Sequence, residues 1–238
     1  MQKKTHQGNE PYWHLTEDDF FHDLPKDVKS AFFARSKRQH IPKRQFLFFE
    51  EDPGDVCFYL ESGAVRIFRF TSIGKEPIMF IRMAGEMFGL AELMDSQSRK
   101  CNAQAIDKSV IYALSKKNFE ALLETYPALS RKVISLLGMR IRYLGEMVEN
   151  LMVGNVSTRL MRVLTYLSFK AIRSAPEKEG PVSVPVTLSQ SEFAAMTGSC
   201  QQTISETLKE LQSQGLIEQH NREILLLKPL KIIETLYG

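Results

Sequence analysis

The stretch LSQSEFAAMTGSCQQTISETLKEL, residues 188–211, reads as two short helices around a tight turn. Ser189 followed three residues later by Glu192 has the spacing of a capping box, in which hydroxyl and carboxylate satisfy each other's orphan backbone N–H groups. Ser199 with Gln202 repeats that spacing, and predicts a second helix start ten residues after the first. The interval leaves room for one short helix and one turn. Ala194 is small where two crossing helices come closest, and Gly198 stands where the turn calls for positive φ, which costs glycine almost nothing. Ile204 and Leu208, one turn apart, face a core and leave Gln201, Gln202, Ser205 and Glu206 outward. A second helix presented in this way enters a DNA major groove, so the expected unit is a helix-turn-helix. The bland alternative is an ordinary helical hairpin, since short motifs match by chance.

The rest of the chain limits what this unit can belong to. With 238 residues and 43% hydrophobic content the chain can bury a proper core and form one large or two modest domains. No apolar run approaches the roughly 20 residues that span a bilayer. The start, MQKKTHQGNEPYWH, lacks the apolar centre of a signal peptide, so the expected location is the cytoplasm. Cys57, Cys101 and Cys200 are far apart with no Cys-x-x-Cys pair, which predicts reduced thiols and no cysteine-held metal. The net charge of +3 says little about nucleic acid. Residues 155–238 hold nine Lys/Arg against eight Asp/Glu, so DNA contact would rest on a few placed cations and backbone amides.

Residues 46–114 have the composition of short strands. VCFYL (56–60), AVRIFRF (64–70), PIMFIRM (77–83) and SVIYAL (109–114) are rich in β-branched and aromatic residues, with Gly54, Gly63, Gly74 and Gly85 punctuating the region. That rhythm predicts a small antiparallel sandwich or barrel. From Pro127 to Val153 the period changes to helical, with Val133, Leu137, Ile141, Leu144, Met147, Val148 and Leu151 forming an apolar stripe. Such a stripe packs on its own domain or joins two chains as a coiled coil; a two-fold DNA target favours the second. A further helix is predicted over Val156–Ile172. SAPEKEGP (174–181) is a connector, and LIEQHNREILLL (216–227) reads as two strands around His220-Asn221-Arg222, a candidate wing.

In this order, the parts resemble the CRP–FNR family of bacterial transcription regulators. The resemblance runs from about Leu24 to the end and is carried by PGDVCFYLESGAVRIF (53–68), GEMFGLAEL (85–93), NVSTRLMRVLTYL (155–167) and the 188–211 stretch. It implies an α+β fold in three parts: an effector-sensing antiparallel β-roll (1–126), a dimerisation helix and hinge (127–154), and a winged helix-turn-helix (155–238). It also implies a homodimer on a pseudo-palindromic double-stranded DNA site, with RNA polymerase as a further partner and no membrane role.

Mapped onto this sequence, the resemblance places base reading at Gln201, Gln202 and Glu206, where many relatives carry arginine at the first and third. Gln favours adenine and Glu accepts from cytosine, so the expected half-site is richer in A·T. Backbone contacts are expected from Ser199, Cys200, Thr203, Gln190, Ser191, Lys209 and Arg222. The dimer contact is expected along Val133, Leu137, Ile141, Leu144, Val148 and Leu151.

The implied effector pocket comprises Gly89, Leu90, Ala91, Leu93, Arg99, Lys100, Cys101, Leu144 and Met147. Leu90 stands where cAMP-binding relatives have the ribose-binding Glu. Lys100-Cys101 matches their Arg–Ser pair, with Arg99 alongside, and Leu144-Gly145 replaces the Thr–Ser pair that touches adenine. Each polar group left unpaired on burial costs about 1–3 kcal/mol, so cAMP is not the expected effector. A small, partly apolar or aromatic acid fits better, with Arg99 and Lys100 as cations at the mouth; a pocket filled by its own side chains is the plain alternative. No metal site or cofactor is expected. His6, His14, His22 and His40 leave a haem-sensing variant open. An enzyme of the cupin type is disfavoured, because no histidine occurs between Ile41 and Lys117. A ligand-binding module acting on a protein partner without DNA is the remaining alternative.

Overall fold

The computed structural model describes residues 19–174 and 180–237. The first part opens with α1 (Lys26–Arg35) and continues as β1 (Lys37–Ile41), β2 (Phe46–Phe48), β3 (Val56–Ser62), β4 (Ala64–Phe68), β5 (Ile78–Met83) and β6 (Met87–Phe88). The short α2 (Ala91–Asp95) precedes β7 (Asn102–Ala105) and β8 (Ser109–Ser115), and α3 (Lys116–Thr125) follows. All pairings are antiparallel and make two four-stranded sheets, ordered β1-β8-β3-β6 and β2-β7-β4-β5. Alternate strand residues turn inward, so Phe58, Leu60 and Ile111 of one sheet share a core with Phe48, Val65, Ile67 and Ala103 of the other. This is the expected β-roll. Its β3–β4 turn needs Gly63 at φ 90°, because a Cβ there would lie 2.3 Å from Ser109 Oγ.

The single helix α4 (Pro127–Val153) covers the whole stretch where the sequence turns helical. The chain divides into two compact units inside it, one ending at Leu137 and the other running from Gly138, rather than at either helix end. The second unit continues with α5 (Val156–Ser174), β9 (Val182–Ser183), α6 (Gln190–Thr197), α7 (Gln201–Ser213), β10 (Ile217–His220), β11 (Glu223–Leu226) and α8 (Pro229–Tyr237). Leu160, Leu164 and Leu167 of α5, spaced three and four apart, are fully buried and form its spine. β10 and β11 pair around Asn221, at φ 57°, as the predicted wing; β9 adds a third strand that its short sequence does not announce.

Two expectations change here. Val133 is only 3% exposed, beside Leu136 at 4%, so it belongs to its own unit's core and not to a surface that a partner can cover. Ile134 instead stands out, 70% exposed. Ser199 does not cap the second motif helix. The N-cap is Cys200, and the Ser199 N–H donates to Ala194 O, which closes α6. The αL turn at Gly198 uses Ser199 to end one helix, so the next begins one residue later.

Candidate nucleic-acid interface and effector pocket

Ser189 and Glu192 make the full capping box on α6: the Ser189 hydroxyl accepts from the Glu192 N–H at 3.2 Å and Glu192 accepts from the Ser189 N–H at 2.7 Å. Gly198 follows at φ 62°. On α7, Ile204, Leu208 and Leu211 are buried while Gln201, Gln202, Glu206 and Lys209 are exposed. Packing of one helix face has thus fixed which side chains are offered outward. The Gln202 amide donates to the Glu206 carboxylate at 3.1 Å. Two of the three expected base readers are therefore coupled, and Gln202 is not spent on a capping box.

The start of α7 gathers three of the expected backbone-contact groups, Ser199, Cys200 and Thr203. Cys200 Sγ and Thr203 Oγ1 are 3.1 Å apart and exposed to partly exposed, with Ser199 adjacent. Gln190 and Ser191 lie in the first turn of α6, with the Ser191 hydroxyl 2.9 Å from that of Ser189. Arg222 is exposed at the wing turn. Unpaired N–H groups at a helix start attract anions. The contact to Thr203, helped by backbone N–H groups, holds the Cys200 thiol below its ordinary pKa. Burial pushes Cys57 up to about 12, and burial with the nearby Glu92 pushes Cys101 up to about 11. Because the thiolate is the nucleophile, iodoacetamide at pH 7.5 is expected to modify Cys200 first, well ahead of Cys57 and Cys101. Peptide mass spectrometry over a time course checks this; equal rates at Cys101 and Cys200 would contradict it.

The expected effector residues fall into two groups. Leu90 and Leu93 are buried in the β-roll, Gly89 holds φ 71°, Ala91 and Lys100 are exposed, and Cys101 is partly covered. Arg99 is not at a mouth. Its side chain is 1% exposed, donating to Val56 O, to Gly89 O at 3.1 Å and to Glu92 at 3.2 Å, with its guanidinium 4.3 Å from the Phe48 ring centre. Glu92 also accepts from the Lys100 N–H at 3.4 Å. The Glu92 carboxylate therefore takes two donors an acidic ligand would use, and in the sequence it is marked by nothing beyond the seven-residue interval to Arg99. Leu144 and Met147 lie in the other unit, Leu144 exposed on α4 and Met147 lining a cavity with Asn150, Arg159 and Met196.

His6 and His14 lie outside the described residues. His22 contacts Asp23 and His40 contacts Arg38, and no group of three or more His, Cys, Asp or Glu suited to a metal occurs among the described residues. No described helix is long and apolar enough to cross a membrane.

This architecture has known counterparts. Residues 38–126 match the cyclic nucleotide-binding domain and residues 158–233 the Crp-like helix-turn-helix domain. The chain belongs to the CRP–FNR family. Its members are transcription regulators and not enzymes, and this chain is a DNA-binding regulator of that type. It is 25% identical to the cyclic AMP receptor protein of Thermus thermophilus, over 83% of this chain and 87% of that one. It is likewise 25% identical to the transcriptional activator protein anr of Pseudomonas aeruginosa, over 87% and 83%. The structure of FixK2 from Bradyrhizobium japonicum superposes with a TM-score of 0.71 at 20% identity, over 84% of this chain and 96% of that one, which speaks for the fold. One of these two relatives is named for cyclic AMP and the other is not, so the family leaves the effector open.

Proposed function

We propose that the protein works as a homodimer in the cytoplasm, reading a two-fold symmetric DNA site through paired α7 helices and acting with RNA polymerase. The outward row Gln201, Gln202 and Glu206 on a helix anchored by Ile204, Leu208 and Leu211 carries this reading. Lys209 and Arg222 supply exposed cations for phosphate, with Ser199, Cys200, Thr203, Gln190 and Ser191 as polar contacts.

The dimer rests on the α4 face. Ile134, Ile141 and Val148 recur every seven residues, and Leu137, Leu144 and Leu151 recur between them at the same period. Five of these six are exposed large apolar residues in the single chain, and Leu137 is half-buried. β-Branched residues at one heptad position with leucine at the other favour a parallel two-stranded coiled coil. Parallel pairing gives the two-fold symmetry that a palindromic site requires.

For the β-roll, the effector is one other than cAMP. Leu90 offers no ribose acceptor, and Glu92 already meets the Arg99 charge. Lys100, exposed beside Cys101, donates to Ser98 at 3.3 Å and lies 3.8 Å from the Glu51 carboxylate, so a small acid with an apolar body would compete with Glu51 for it.

Selection from random duplexes tests the DNA reading. The expected product is an inverted repeat whose half-sites favour A·T opposite Gln201 and Gln202, with Glu206→Arg shifting one position toward guanine. A guanine-based half-site from the unaltered protein contradicts the code. No enrichment at any salt concentration favours the module that acts without DNA.

A further inference from the structure

The exposed row on α7 is not uniform. Gln201 and Gln202 stand side by side at the helix start, yet only the second is held. Its amide nitrogen donates at 3.1 Å to the carboxylate of Glu206, one turn further on. Among the described residues this is the only hydrogen bond made by either of those two side chains, and the Gln201 side chain makes none. An ionised carboxylate has no proton to give, so the contact fixes which way the amide lies: Nε2 faces Glu206 and Oε1 turns away from it. Hydrogen bonds to an ionised acceptor are also the stronger kind. Burial of Ile204 and Leu208 on the opposite face keeps the pair on the outward side of the helix.

That orientation decides what Gln202 offers to a base. The amide nitrogen carries two protons, one beside Oε1 and one on the Cγ side. Adenine is recognised through Oε1 and the proton beside it, set against N6 and N7. The Cγ-side proton has no part in that pair, so Glu206 can take it while the reading edge stays free. An amide already held in place also loses less rotamer freedom when it binds. Resting on the DNA-binding reading above, we infer that Glu206 is a positioning residue. It takes the Cγ-side proton of Gln202 and holds the Oε1 edge ready for adenine. Gln202 is then the sharper base reader of the row, and Gln201, with its amide free, the weaker.

The test selects from random duplexes with the unaltered full-length protein and with Gln202→Ala, Glu206→Ala and Glu206→Gln. Gln202→Ala marks the base pair that Gln202 reads. At that pair Glu206→Ala is expected to cut the adenine preference about fivefold, the scale of ordering one free side chain. Glu206→Gln should keep most of the preference, because its amide oxygen still accepts from Gln202. Both altered positions are exposed, so the variants should fold as the unaltered chain does. Nuclear magnetic resonance of the protein without DNA gives a second readout. There the Cγ-side amide proton of Gln202 should lie downfield of its Gln201 counterpart, and return to the Gln201 position in Glu206→Ala. The inference is overturned if the preference at the Gln202 pair survives Glu206→Ala, if Glu206→Gln loses as much, or if that proton does not move. Should the unaltered protein enrich no duplex, the DNA-binding reading fails by itself, and the amide spectrum still decides whether Glu206 holds Gln202.

Discussion

Arg99→Met is expected to destabilise the β-roll by about 3–5 kcal/mol, the usual cost of removing one partner of a buried ion pair. The guanidinium is 1% exposed and serves Val56 O, Gly89 O and Glu92, while lying over the Phe48 ring. The methionine side chain fills much of the volume but donates nothing. The two carbonyls then lose a donor, and a carboxylate with 12% side-chain exposure is left without its counter-charge. Hydrogen exchange of peptides from β3 and β8 measures the local opening free energy directly. A second change, Glu92→Met in the same chain, is expected to restore part of the loss, because the stranded charge goes with it. A loss under about 1 kcal/mol for the single variant would mean that the guanidinium is dispensable to the fold.

Ile141→Asp with Val148→Asp is expected to leave the chain monomeric at micromolar concentration. Both positions are more than half exposed on α4 and repeat at seven residues, so each would meet its own copy across a parallel seam. Burying such a side chain contributes about 1.5–3 kcal/mol, and the substitution removes two per chain while bringing four carboxylates together. A weakening of about 4 kcal/mol or more raises the dissociation constant roughly a thousandfold. Sedimentation equilibrium gives the mass, and DNA affinity for the selected repeat should fall with it. Because both residues are solvent-exposed in the single chain, the melting of each unit should change little. A dimer that survives both charges would place the contact elsewhere.

The periodic parts were readable because burial follows repeat. The bounds of α4, the start of α5, the strands at 56–62, 64–68, 78–83 and 109–115, and the wing all follow from apolar spacing and turn residues. β1, by contrast, is spelled KRQHI and, among the described residues, pairs only with β8 at the edge of its sheet. Charged residues suit an unpaired edge and erase the alternation that would betray a strand. The site at 188–211 was legible in its first capping box and in the outward row on α7. Its second cap was misplaced, because Ser199 is claimed by the end of α6 before it can start α7.

The sequence by itself determined the order of the β-rich part, the long helix and the helix-turn-helix, and with it the family, since these depend on local spacing along the chain. Only the tertiary structure decided where polar groups go once packing has brought distant segments together. It buried Arg99 against Val56, Gly89 and Glu92 instead of leaving it at a mouth, turned Val133 inward and Ile134 outward, and gathered Asn150, Arg159 and Arg162 around one cavity. The reason is physical. Periodicity records which face of an element avoids water, but the partner of a buried charge is set by three-dimensional proximity, and no spacing along the chain encodes that.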